Sequence, residues 1–194
     1  MLNFLILFLT ILISGCTTIA HLPAAPSVYS MFNYEGNLTV GLTKIIDERK
    51  EKHTGSVGGL PIDVPSNLGD FVAQHLMARL NKELKVNVQP IIDRNSNQNK
   101  VDLYLTCHIK QLSIFSIDSI LQPVETVLVL KVEVFDLNNQ LLYADNVTGV
   151  YVKRMGLIVT ENAFGRVVEG SIKNALDQLL AQQGFLATLE NFKS

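Results

Sequence analysis

Residues 101–112 and 128–134 set apolar side chains at a period of two, residues 141–153 follow as a third strand-like run, and no other property of this chain narrows its fold as far. Val101, Leu103, Leu105, Cys107 and Ile109 share one side of the first run, with Asp102, Tyr104, Thr106, His108 and Lys110 opposite. Leu128, Leu130, Val132 and Val134 do the same in the second. Successive side chains of a strand point to opposite faces, so each run offers one face to a core and the other to water. Asp136-Leu137-Asn138-Asn139 stands between the second and third runs and supplies turn residues, which predicts an antiparallel hairpin.

Two further stretches carry a helical period instead. Leu68, Phe71, Val72, His75, Leu76, Arg79, Leu80 and Leu84 recur every three or four residues behind the cap candidates Ser66 and Asn67. Phe164, Val167, Val168, Ile172, Ala175, Leu176, Leu179 and Leu180 form the second stripe, with Thr160 or Asn162 to cap it and Gly184 to end it. Leu38, Val40 and Leu42 predict an early strand, and Val86 with Val88 a short one. The resulting order is β-α-β-β-β-β-α. It implies an α+β fold, with two amphipathic helices packed on one face of a mostly antiparallel sheet. Residues 47–67 read as the longest internal loop, because Gly55, Gly58, Gly59, Pro61 and Pro65 break any regular period.

The first fifteen residues carry no charged side chain, and they end in Leu12-Ile13-Ser14-Gly15-Cys16. The apolar run from Phe4 to Ile13 is about half the roughly 20 residues that a spanning helix needs. It suits the h-region of a signal peptide, although the n-region lacks the usual Lys or Arg. The alternative is an uncleaved anchor running on through Ala20. The run closing on Cys16 resembles the lipobox of bacterial lipoproteins. That resemblance implies a Cys16 thiol carrying a lipid, palmitate among its acyl chains, and forming the first mature residue. Stable attachment needs two or more acyl chains. The division expected is residues 1–15 as signal peptide, 16–36 as lipidated N-terminus and flexible tether, and 37–194 as one periplasmic α+β domain. The tether reading rests on a segment with no formal charge, two prolines (Pro23 and Pro26), alanines and serines.

Chemistry is sparse by comparison. A formal net charge of −2 without a basic cluster argues against a nucleic-acid partner. The four histidines, His21, His53, His75 and His108, include no i, i+4 pair, so no metal site is expected. Neither a G-x-S-x-G elbow nor a phosphate loop is present, Asp47, Glu48, Asp93 and Asp102 give no local sign of pairing, and neither a catalytic residue nor a cofactor is expected. His75 reads as a core-edge imidazole, and Cys107 as a buried thiol with no disulfide partner once Cys16 is lipidated. The segment from Asp47 through Arg49 to Gly59 mixes alternating charge with glycine. It is either a solvated connector or a partner-binding edge led by Asp47 and Arg49.

The early strand ending near Asp47 and Arg49, the glycine-rich loop, the lipobox and the stripe from Phe164 to Leu180 together resemble the YajG family of Gram-negative lipoproteins. The resemblance implies a periplasm-facing lipoprotein and names no catalytic residue. Thr17 after the lipid site is not the aspartate of inner-membrane retention, which implies the outer membrane. A non-catalytic binding or scaffold module is the leading reading, auxiliary to an outer-membrane transport or secretion assembly. It would be held to the membrane by its lipid, meet an envelope protein partner, and offer open sheet edges to it. A carrier of an apolar ligand or a small envelope enzyme is the alternative.

Overall fold

The predicted hairpin is the spine of the molecule. The computed structural model describes residues 18–24, 38–50, 53–57, 60–64, 66–92, 94, 100–116, 123–154 and 161–192. Their strands are β1 (Thr18–Ile19), β2 (Thr39–Leu42), β3 (Ile46–Asp47), β4 (His53–Val57), β5 (Leu60–Asp63), β6 (Asn87–Pro90), β7 (Leu103–Ser116), β8 (Pro123–Phe135) and β9 (Leu141–Arg154). Helices α1 (Leu68–Leu84), α2 (Glu161–Ala181) and α3 (Gln183–Glu190) complete the α+β fold. Strands β7, β8 and β9 form a continuous antiparallel ladder, from Tyr104↔Phe135 to Pro123↔Arg154. Asp136 closes the β8–β9 turn by accepting from the backbone N–H groups of Asn138 and Gln140, at 2.8 and 2.7 Å.

The other edge of β7 is satisfied piecewise. Parallel to it lie β2 against Leu103–Leu105, β3 against His108–Ile109 and β4 against Ile114–Phe115, one after another. Outside these run β6 on β2, and β5 then β1 beyond β4. The sheet is therefore mixed: its long ladder is antiparallel, while most of its short pairings are parallel. The expected element order omitted β1, β3, β4 and β5. Residues 47–67 are not one loop, since β4 and β5 form a hairpin within them. No sequence period marks such strands, because they exist by pairing with their neighbours.

All helices cover one face. Phe71, Val72, Leu76 and Leu80 of α1, with Val167, Val168, Ile172 and Leu176 of α2, meet Leu105, Cys107, Ile109, Leu128, Leu130 and Val132 in one core. Gly149 and Gly170 set the α2–β9 spacing: a Cβ at Gly149 would overlap the Ser171 carbonyl, and one at Gly170 would strike the Tyr151 ring. The second helix stops sooner than Gly184. Gln182 is extended (φ −78°, ψ 115°), its side chain bonded to Tyr143 and Asp145, and α3 then starts with Gly184 inside it. Asn67 does occupy the N-cap of α1, but without a side-chain cap bond. Val101 also departs from expectation, packing with Ile91 and Tyr104 on the helix-free face, away from Cys107.

The N-terminal span is described only at residues 18–24, and there it is built into the fold. Thr18 and Ile19 pair with Ile62 and Asp63, the Ala20 N–H donates to the Asp63 carbonyl at 2.8 Å, and Ala20 is wholly buried. Leu22 packs on the core, and the His21 backbone crosses α2 so closely that a Cβ on Gly165 would fall on its carbonyl. The remaining tether residues, 25–36, and Cys16 itself lie outside the described residues.

Two substitutions test these contacts. Gly149→Ala should lower unfolding stability by about 1–3 kcal/mol, because overpacking against helix backbone has no rotamer to relieve it. A denaturant melt matching wild type would rule out the tight α2–β9 approach. Gly165→Ala should instead free residues 18–22 and open a protease site there, with little change to the central ladder.

Candidate interaction surface

The face of the sheet away from the helices carries most of the exposed and charged side chains of the strands. Strand alternation turns Thr106, His108, Lys131 and Glu133 towards it, and β3 adds Ile46 and then Glu48. These side chains form a ladder of ion pairs across β3, β7 and β8. His108 Nδ1 lies 2.7 Å from Glu48 and its Nε2 3.3 Å from Glu133, whose other oxygen takes Lys131 Nζ at 2.7 Å. Lys110 also pairs with Glu48, and hydrogen bonds from Lys110 and then His108 hold the Glu48 carboxyl below its usual range. Each cation has a carboxylate and each carboxylate a cation, so the ladder ties short β3 to the long ladder rather than presenting unpaired charge.

The predicted pair, Asp47 and Arg49, turns the other way. Register sets Asp47 beside Ile109, on the helix side. Arg49 Nε and Nη2 donate to the two Asp47 carboxylate oxygens at 2.8 and 2.7 Å, and the Arg49 backbone N–H adds a third bond at 3.2 Å. The Arg49 side chain is only 8% exposed against 39% for Asp47, so its guanidinium is already engaged and largely covered. The geometry is that of a strand-end clamp. Its hydrogen bonds from Arg49 hold the Asp47 pKa down.

Apolar side chains collect at the two ends of the open face. At the end where β7 and β9 finish, Phe115, Val150 and Val152 are exposed. At the hairpin end, Leu137 and Leu141 are exposed and Ile92 fully so, around a small cluster of Ile91, Val101, Tyr104 and Phe135. Arg94 lies 4.1 Å over the Phe135 ring centroid. The β9 edge, by contrast, is not open along its middle. The Thr148 N–H donates to Gln178, the Val150 carbonyl accepts from Asn174 at 2.6 Å, and the Asn146 N–H is taken by Asp145 at 2.7 Å. Amides spaced four residues apart on α2 thus occupy the groups an added strand would need. Sequence reading missed this device, although Asn174 and Gln178 do share a helix face.

The buried titratable groups are structural. Cys107 is fully buried and free, and burial pushes its thiol up to about 12, far from a reactive thiolate. His75 is buried with its ring edge on Phe71 at 4.7 Å and its Nε2 4.0 Å from Glu169, and burial lowers its pKa. Among the described residues, no three His, Cys, Asp or Glu side chains could hold a metal, and no helix is long and apolar enough to cross a membrane.

No family model matches the chain, and no curated protein matches it in sequence. Among solved structures it is similar to protein XCC0632 from Xanthomonas campestris, of family DUF330, with TM-score 0.51 and 9% identity over 92% of this chain and 95% of that one. Weaker overlaps include lipoprotein GNA1162 from Neisseria meningitidis, with TM-score 0.42 and 10% identity over 75% of this chain and 99% of that one. A minor lipoprotein from Acinetobacter baumannii gives TM-score 0.41 and 14% identity over 78% and 91%. At 9% identity, the Xanthomonas likeness is one of fold.

The clamp and His75 both lose stability as pH falls, in different windows. Asp47 has a depressed folded pKa, so its contribution is present above its ordinary value of 3.8 and lost as pH falls through the folded one. Being partly exposed, the pair should contribute under about 1 kcal/mol, the loss expected of Asp47→Ala. His75 folds neutral, so stability should decline as pH drops below 6.5, and His75→Leu should flatten that part of the profile. Cys107→Ser should cost about 1–2 kcal/mol by burying a hydroxyl in an apolar setting. Rapid reaction of Cys107 with a thiol reagent in the folded protein would contradict its burial.

Proposed function

We propose that this chain is a lipid-anchored, non-catalytic envelope lipoprotein, a binding or scaffold module at the periplasmic face of the outer membrane. The observation that carries the reading is the continuity between Cys16 and the sheet. The lipobox cysteine stands two residues ahead of Thr18, and Thr18 already belongs to β1. A cleaved and lipidated chain would therefore begin at the edge of the fold. The uncleaved-anchor alternative runs through Ala20, whose burial against the domain is incompatible with a position in a membrane.

The partner is an envelope protein of a transport or secretion assembly, met through the open face. Exposed Leu137, Leu141 and Ile92 at the hairpin end favour apolar docking there over strand addition, because the middle of β9 is already occupied. The YajG-like reading belongs to this proposal, with the Asp47–Arg49 clamp holding β3 and not itself contacting the partner. The carrier reading gains nothing from the α2–β9 layer, where backbone and ring contacts at Gly149 and Gly170 leave no space for a ligand.

Cys16→Ser should abolish incorporation of a fatty-acid analogue and move the protein out of the outer-membrane fraction. Equal label in wild type and variant would end the lipoprotein reading. Leu137→Glu combined with Ile92→Glu should reduce partner capture from crosslinked envelopes at least tenfold without changing the melt.

A further inference from the structure

We infer that the end of the sheet beside β1 is a lipid-contact surface, seated on the bilayer that holds the Cys16 lipid. The inference rests on the lipoprotein reading and adds an orientation to it. Two residues span at most about 7 Å, so a lipidated Cys16 keeps Thr18 within that distance of its own acyl chains. Strand register then tells which other residues lie at this level. Thr18 is level with Ile62, Gly55, Ile114, Thr126 and Tyr151 across the sheet. The next row outward, about 3.3 Å further, contains Phe115, Glu125 and Val152.

What is exposed there suits a headgroup interface. Phe115 and Val152 are both exposed on the open face. Lys153 and Arg154 follow at the end of β9, both exposed, and outnumber the half-buried Glu125. Apolar side chains level with a lipid anchor, next to two cations, match an anionic bilayer surface in both polarity and charge. A lateral span of three strand spacings, about 14 Å, separates β1 from β7, and β9 lies two spacings beyond. The contact is thus broad enough to fix how the domain stands and not merely to touch. The opposite pole of the ladder, with Leu137 and Leu141, faces away from the membrane.

The test uses the full mature chain reconstituted in vesicles of phosphatidylethanolamine and phosphatidylglycerol. Because Cys107 is buried, the lipidated wild-type protein should give no reaction with a charged, membrane-impermeant maleimide. Labelling at Cys16 in that control would defeat the lipoprotein reading itself. Val152→Cys should react at least tenfold more slowly in vesicles than in detergent micelles, whereas Leu137→Cys should react equally fast in both. Adding Lys153→Glu and Arg154→Glu should restore several-fold of the lost rate. A Val152→Cys thiol that reacts freely in vesicles of an unlabelled-at-Cys16 protein overturns the inference while leaving lipidation standing. Protection that survives in detergent also overturns it, and would assign this end to a second copy of the chain.

Discussion

The fold depends on the requirement that both edges of β7 be hydrogen-bonded. A buried backbone N–H or C=O without a partner is costly, and β7 is a 14-residue strand with Leu105, Cys107, Ile109 and Ile114 in the core. One edge finds β8 along its whole length. The other is met by three short parallel strands, which obliges residues 38–57 to track along it as β2, β3 and β4. The β4–β5 hairpin follows, and β5 leaves a further edge that β1 takes up. The position of the N-terminus is thus a consequence of completing β7.

The same accounting explains the role of the charged ladder. A two-residue strand such as β3 has little pairing of its own, so Glu48, His108 and Glu133 bind it across to β7 and β8. The Asp47–Arg49 clamp holds its opposite face. Exposed pairs of this kind are individually weak, but they act where a slip would detach β4 and β5 as well. The amides of Asn174 and Gln178 serve a comparable purpose at β9. They satisfy an edge that would otherwise recruit foreign strands.

What the sequence made legible was whatever carries a long period. The three long strands, the hairpin turn, both helical stripes and the burial of Cys107 could all be read from alternation, spacing and residue size. The short strands could not. Thr18–Ile19 and Ile46–Asp47 are too brief to show a period, and β4 contains Gly55 at a register shift with φ 141°. Glycine and proline there mark a bulge and an edge, which composition alone does not distinguish from loop. The candidate surface was less legible still. Asp47 and Arg49 attracted notice as a motif, yet their pairing with each other depends on β3 turning them away from the open face. Glu48, between them, faces the network instead.

The proposed anchoring would give this short N-terminal strand a functional meaning. A free tether of about 20 residues would let the domain wander roughly 25 Å from its lipid, tumbling with every face equally presented. Under the proposed lipidation of Cys16, anchoring at β1 would shorten that leash to about 7 Å. In the proposed orientation the β8 strand, 13 residues and roughly 40 Å long, would rise away from the membrane to the hairpin that carries Leu137. On that proposal, a partner confined to the same envelope space would meet a fixed pole at a fixed height, so less orientational freedom would be lost on binding than with a tumbling domain. Weak apolar contacts at that pole could therefore suffice for assembly, which accords with the exposed Leu137, Leu141 and Ile92 there.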